Sequence, residues 1–266
     1  NRLQAIPYES FPERDFRDLY IDGAGIFMLQ DGVYAFPIAV DPLVMYWNRN
    51  IFSDNGFLKA PSTWEEIVSD TNPKLTTRNF NRNIERSAIA MGEYSNIKNS
   101  FPVISTLLLQ AGSKMVTQDR EKYTVSINQS LNDSKPLLNT LSFYTNFSNV
   151  NNTQYSWNRS LSLDRDMFIS EDLALYFGYG SEGRDIETKN PNLTFDIAEV
   201  PQGANTTNKR TYGNFYGLFI PKASKNKNGA LIVAKTLSNV THSKKIADGY
   251  NLSPVLRQLV SVGSND

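Results

Sequence analysis

Short apolar, aromatic and β-branched segments alternate along this chain with segments whose apolar residues recur at helical spacing. That alternation constrains the fold more than any other feature. Val33 to Val40, Asp172 to Phe177, Phe195 to Val200 and Phe215 to Ile220 read as strands. Phe11 to Gln30, Ile104 to Ala111, Asn228 to Leu237 and a last segment opened by Ser253-Pro254 read as helices. Thr63 and Glu66 have the spacing of a capping box at another helix start, and Ser134 with Pro136 opens one more. Asp41-Pro42 is read as the end of the first strand, Gly112 as a helix stop, and Leu75 to Arg86 and Asn146 to Arg159 as polar surface. The expectation is an α/β protein whose sheets are covered by helices.

At 266 residues the chain is one large domain or two ordinary ones, with 40% hydrophobic residues to build a core. Lysine plus arginine and aspartate plus glutamate stand at 27 each, so no global positive field exists to hold a nucleic acid. There is no cysteine and one histidine, His242, which excludes a disulfide framework, a Cys/His zinc site and a cysteine nucleophile. No metal and no cofactor is expected. A Ser-His-Asp triad would have to run through His242, in a polar stretch suited to a loop or helix start. Aromatic residues reach 12%, with 13 tyrosines, and such side chains both pack cores and stack on uncharged polar ligands. The apolar window from Gly25 to Trp47 is broken by Gln30, Asp31, Pro37, Asp41 and Pro42, so it encodes no membrane span. Asn-x-Ser/Thr sequons recur, as chance supplies in a chain this rich in Asn, Ser and Thr. The start at Asn1, without Met or a leader, reads as the middle of a longer protein.

Gly178-Tyr-Gly180-Ser-Glu-Gly183 matches a dinucleotide-binding turn in spacing, but Arg184 to Asn190 offers only Ile186 where a long amphipathic helix should follow. What remains is a strand ending in a turn with free backbone N–H groups for an oxygen-rich ligand. Asp164, Asp166, Glu171 and Asp172 lack the glycine and spaced glutamate of a calcium loop and read as a solvated acidic face. Asp41 and Glu93 each follow an apolar run, the place where α/β sheets present ligand groups. They could be a glycosidase pair, the acceptors of a sugar site, or structural caps and ion pairs.

The stretch from Gly32 through Asp41-Pro-Leu-Val-Met-Tyr-Trp47-Asn48 to Phe52, followed by Pro61-Ser-Thr-Trp64-Glu-Glu, resembles the sugar-type solute-binding proteins of ABC importers, the family that includes maltose-binding protein. Ala88 to Tyr94, Ala174 to Glu182, Val200-Pro201, Tyr212 to Ser224 and Leu252 to Leu259 keep the order of that family's later segments. The resemblance implies a two-lobe, periplasmic-binding-protein-like fold of type II with lobe I incomplete, built from 1–40 and 201–252 as lobe I and 41–200 and 253–266 as lobe II. It implies capture of a neutral carbohydrate in an interlobe cleft and delivery to an ABC transporter permease, without catalysis. The protein would be an extracytoplasmic monomer, periplasmic or a cell-surface lipoprotein, touching the membrane only through an anchor outside this stretch. Residue by residue, the resemblance carries Asp41 onto a hinge carboxylate that accepts sugar hydroxyls, and Glu93 and Tyr94 onto a lobe II ligand loop. Tyr179 and Ser181 fall on the pocket-edge turn, and Asn214 and Tyr216 on the lobe I segment facing the ligand. Gly213-Asn214 stands where many members carry two glycines. Trp47 and Trp64 look like sugar platforms, although Trp64 follows a helix cap and reads as core. The alternative is a glycoside hydrolase using Asp41 and Glu93.

Overall fold

The computed structural model describes residues 2–119, 122–127 and 135–260. In chain order the first elements are α1 (Glu13–Leu19), β1 (Met28–Leu29), β2 (Gly32–Val33), β3 (Ala35–Asn48), α2 (Arg49–Asp54), α3 (Trp64–Glu66), α4 (Asn72–Leu75), β4 (Thr77–Arg78) and β5 (Ile84–Ile89). Then follow α5 (Ser100–Gln110), β6 (Val116–Asp119), β7 (Lys122–Val125), α6 (Pro136–Asn146), α7 (Asp164–Ile169) and β8 (Leu173–Tyr179). The last are α8 (Gly183–Lys189), β9 (Phe195–Ala198), β10 (Gly213–Phe219), α9 (Lys227–Leu237), α10 (Val240–Tyr250), β11 (Ser253–Pro254) and α11 (Arg257–Val260).

Two compact units emerge: one takes the chain up to Pro42 and again from Gly213, the other is Leu43–Tyr212. The division falls inside β3, whose 14 residues are buried along nearly their whole length. Such a strand reads as a continuous apolar run rather than an alternation. Asp41-Pro42 therefore does not end the strand, contrary to the sequence expectation. Pro42 lies opposite Gly213, at the limit of pairing with β10, and Pro37 lies at the register shift beside Gly217, so neither missing N–H interrupts a regular ladder.

In the first unit, β10 runs antiparallel along one edge of the N-terminal half of β3, and Ser253 and Pro254 of β11 pair with Val40 and Ala39. A core of Phe16, Tyr20, Phe27, Val33, Phe36, Val40, Val255 and Leu256 fills this unit. Helix α1 is shorter than the expected Phe11 to Gln30: Tyr20 and Ile21 are extended and Asp22–Phe27 turns into a 3-10 segment through Gly23 and Gly25. Ring atoms of Phe215 occupy the place where a side chain on Gly23 would go. Helix α10, in which Asn239 caps His242 N–H, explains the polar His242 stretch as a helix start. The segment after Ser253 pairs as a strand before it becomes helical, so 253–260 belongs with the first unit rather than the second. Residues 201–212 go the other way, because Gln202 bonds to Ser62 and Trp64, and Gln110 to the carbonyls of Pro201 and Arg210.

In the second unit the C-terminal half of β3 pairs antiparallel with β8 and β9, and β5 pairs parallel with β8. Its core includes Tyr46, Trp47, Phe52, Trp64, Leu75, Ile89, Phe147, Trp157, Phe168, Leu175 and Tyr176. Trp47 and Trp64 are thus core residues and not ligand platforms. The capping box is formed as its spacing predicts, with Thr63 accepting from Glu66 N–H and the Glu66 carboxylate accepting back from Thr63 N–H. Within Leu75 to Arg86, expected as polar surface, residues 77–78 form β4 and residues 84–86 open β5. Helix α5 ends at Gly112 in the left-handed region, as expected. Pro136 opens α6, while Ser134 lies outside the described residues. Among the described residues no helix is long and apolar enough to cross a membrane.

Candidate functional site

In the first unit the register places Asp41 directly opposite Asn214, and Ala39 opposite Tyr216. Directly opposed residues share a face of an antiparallel pair, with Cβ atoms about 4.5–5.5 Å apart, and residues two apart on a strand share it too. Asp41, Asn214 and Tyr216 therefore lie on one face. Asp41 is 4% exposed, whereas Tyr216 keeps about half of its surface. A side-chain atom on Gly213 would stand 3.3 Å from the Asp41 carbonyl oxygen, so the small residue keeps β10 tight against β3 beside Asn214. The chemistry is a buried carboxylate acceptor beside a carboxamide that both donates and accepts, with an aromatic ring next along the strand.

In the second unit, β5 and β8 are parallel, so the loops after them leave the same edge of the sheet, where α/β folds present ligand groups. The loop after β5 carries Glu93 and Tyr94. It turns at Gly92, whose positive φ of 98° a side chain rarely adopts. Ser148 Oγ donates to the Gly92 carbonyl at 2.9 Å and Tyr144 Oη to the Glu93 carbonyl at 2.6 Å. Burial raises the Tyr144 phenol well above its usual range, so it stays a donor. The Glu93 carboxylate accepts from the exposed Arg159 guanidinium at 2.8 Å. Tyr94 is 75% exposed.

Strand β8 ends at Tyr179, and Ser181 follows in a single 3-10 turn, Gly180–Glu182. Tyr46 Oη donates to the Tyr179 carbonyl at 2.7 Å. The Gly178 spacing has a packing cause: a side chain there would collide with the rings of Tyr176 and Tyr46, and Gly183 lies against the Tyr46 hydroxyl. Helix α8 is seven residues long, too short for a dinucleotide-binding unit.

Glu182 anchors this turn, a role the sequence reading did not give it. Its carboxylate accepts from Tyr179 N–H at 3.0 Å, Tyr176 Oη at 2.9 Å, Asn99 Nδ2 at 3.2 Å and Lys98 Nζ at 2.8 Å, and it forms an ion pair with Arg165, whose Nε lies 3.1 Å away. Burial works to raise its pKa, but the bonds from Lys98, Tyr179 N–H and Tyr176 outweigh it and hold the group below the ordinary glutamate range. Asp164 overturns the expectation of a solvated acidic face, since it is 1% exposed. Burial pushes its pKa up to about 6, partly offset by N–H donors from Lys98 and Arg165. The capping-box spacing from Tyr179 to Glu182 was a signal for the first of these groups. For Asp164 the apolar Met167-Phe168 behind it was the only hint.

Tyr94, Lys98, Phe101, Asp164 and Arg165 line a depression of about 400 Å³ in the second unit. The first unit holds an apolar groove of about 360 Å³ lined by Phe11, Leu19, Tyr20, Phe36 and Leu256, which none of Asp41, Asn214 and Tyr216 reaches. Among the described residues no cluster of His, Asp and Glu could hold a metal ion.

A family model described as bacterial extracellular solute-binding protein matches residues 5–239. Comparison with curated proteins finds no match. Among solved structures, a cyclo/maltodextrin-binding protein complexed with maltotetraose is 13% identical, with a TM-score of 0.74 over 97% of this chain and 61% of that one. An ABC transporter solute-binding protein from Thermotoga lettingae, bound with α-D-tagatose, is 20% identical, with a TM-score of 0.65 over 99% of this chain and 65% of its own. UgpB from Mycobacterium tuberculosis, in complex with glycerophosphocholine, is 17% identical, with a TM-score of 0.69 over 97% and 61%. The likeness establishes the two-lobe α/β fold, and the chain spans 61% to 65% of the length of these proteins.

Proposed function

The chain belongs to the bacterial extracellular solute-binding protein family, and from that premise we propose that it captures a neutral carbohydrate and delivers it to the permease of an ABC importer. The observation that carries this reading is the pairing of buried Asp41 with Asn214 beside the half-exposed ring of Tyr216. A carboxylate and a carboxamide side by side meet the alternating donor and acceptor character of neighbouring sugar hydroxyls, and an aromatic face covers the apolar side of a pyranose ring. Within the second unit, exposed Tyr94 next to Glu93 offers an aromatic face and a carboxylate, and Tyr179 and Ser181 lie at the turn after the neighbouring strand. The ligands of the maltodextrin- and tagatose-binding relatives support the sugar class.

The protein works outside the cytoplasm, in the periplasm or as a cell-surface lipoprotein, as a monomer, and by binding without chemistry. The hydrolase alternative lacks support: the family is one of binding proteins. Incubation with oligosaccharides should release no new reducing ends.

Calorimetric titration with maltotetraose, mannobiose, tagatose and glycerophosphocholine tests the reading. Saturable heat is expected with at least one sugar, and Asp41→Ala should weaken it by about 10- to 100-fold, as loss of a hydrogen bond to a buried charged group does. Heat with glycerophosphocholine alone, or with no ligand of the panel, would overturn the sugar assignment.

A further inference from the structure

The loop that presents Glu93 and Tyr94 is fastened to the loop before α7 by two side chains. Asn96 accepts from Trp157 Nε1 at 3.1 Å, and its amide donates to the carbonyls of Asn158 at 2.9 Å and Leu161 at 3.0 Å. Its own carbonyl accepts from Asp164 N–H at 3.0 Å. Asp164 Oδ1 completes the clamp by accepting from Lys98 N–H at 3.1 Å and from Arg165 N–H at 2.8 Å, one donor from each segment. We propose that Asp164 is a positioning residue whose carboxyl, by clamping these two segments, sets the seat of Glu93 and Tyr94 and makes that seat tighten in acid. The clamp stands on the geometry alone, and its link to capture rests on the carbohydrate reading above.

The sign of the acid effect follows from burial. With the loop closed the carboxyl is out of water and titrates near 6, against 3.8 for an ordinary aspartate. The titratable groups around it are Lys98 on the loop, Arg165 and Asp166 on α7, Glu182 beyond β8, Tyr176 on β8 and Tyr144 on α6. A loop opening that returns Asp164 to water favours its ionised form. The closed loop therefore binds the proton more tightly, and lowering the pH favours closure.

Amide hydrogen exchange of the intact chain, corrected for intrinsic rates, reads this at Lys98 and Arg165 without any ligand. Protection of the wild type should rise about tenfold from pH 7.5 to pH 5. Asp164→Asn keeps an oxygen acceptor without a charge, so its protection should be high and independent of pH. Asp164→Ala removes the acceptor and should leave protection low at both. A wild-type profile that is flat or falls toward acid, or one that Asp164→Asn leaves unchanged, overturns the proposal. Parallel titration with maltotetraose, mannobiose and tagatose separates the two readings. Clamp behaviour as described, with no heat from any sugar, sinks the carbohydrate assignment and leaves the clamp; sugar binding with flat exchange does the reverse.

Discussion

Single residues in this protein do different work according to whether their charge is matched. Glu182 and Asp164 are both buried, yet one is held ionised by Lys98 and its hydrogen-bond donors and the other is pushed toward its neutral form. Their effects on stability have opposite signs. The contribution of Glu182 is present above the unfolded glutamate pKa and is lost as pH falls through its depressed folded value, whereas the penalty at Asp164 is relieved as pH falls through about 6. Glu182→Gln leaves Lys98 and Arg165 without their shared carboxylate and should cost about 3 kcal/mol in urea unfolding at pH 7. An unchanged midpoint would show that water and Asp185, which also pairs with Arg165, compensate. Beyond the Tyr179 to Glu182 spacing and the apolar Met167-Phe168 after Asp164, the sequence carries no sign of which charge is matched. A carboxylate near Gly or Leu looks the same whether solvent or a guanidinium faces it, and only burial separates the two.

At the scale of elements, local signals did well where local chemistry decides the outcome. The capping box of Thr63 and Glu66, the proline opening α6 and the left-handed stop at Gly112 all formed where their spacing placed them. Thr63→Ala should accordingly lower stability by about 1 kcal/mol, measured by thermal melting. Gly92→Ala should cost about 2 kcal/mol or more: its φ is 98°, and an added Cβ would stand 2.6 Å from the Ser148 nitrogen. Calorimetric melting of that variant checks the cost, and an unchanged transition would mean that the turn relaxes freely. Local signals failed where pairing partners decide. Pro42 was read as a strand end because proline lacks a ladder donor, but the site opposite Gly213 demands none. Ser253-Pro254 looked like a helix start and became a strand because β3 offered it an edge. Leu75 to Arg86, read as polar surface, supplies β4 and the start of β5 for the same reason, since β4 pairs with β5 and β8 lies alongside β5.

At the scale of the molecule, the chain is divided unevenly between a continuous unit, Leu43–Tyr212, and one assembled from two distant stretches. The continuous unit has a core of its own, from Leu43 to Val200, with every strand that pairs in it supplied by that stretch. A polypeptide of residues 43–212 should therefore unfold cooperatively by circular dichroism, while residues 1–42 alone should remain unstructured. A non-cooperative melt of the longer fragment would contradict this division. Sequence by itself determined the α/β class and the order of the family segments, because periodicity and motif order are properties of the chain; the seven candidate ligand residues came only through the family resemblance. Tertiary structure alone decided that Asp41 faces Asn214, that Tyr94 is exposed while Trp47 is buried, and that Asp164 and Glu182 are interior groups. Those facts depend on which distant segments exclude water from a side chain, and no local spacing encodes that.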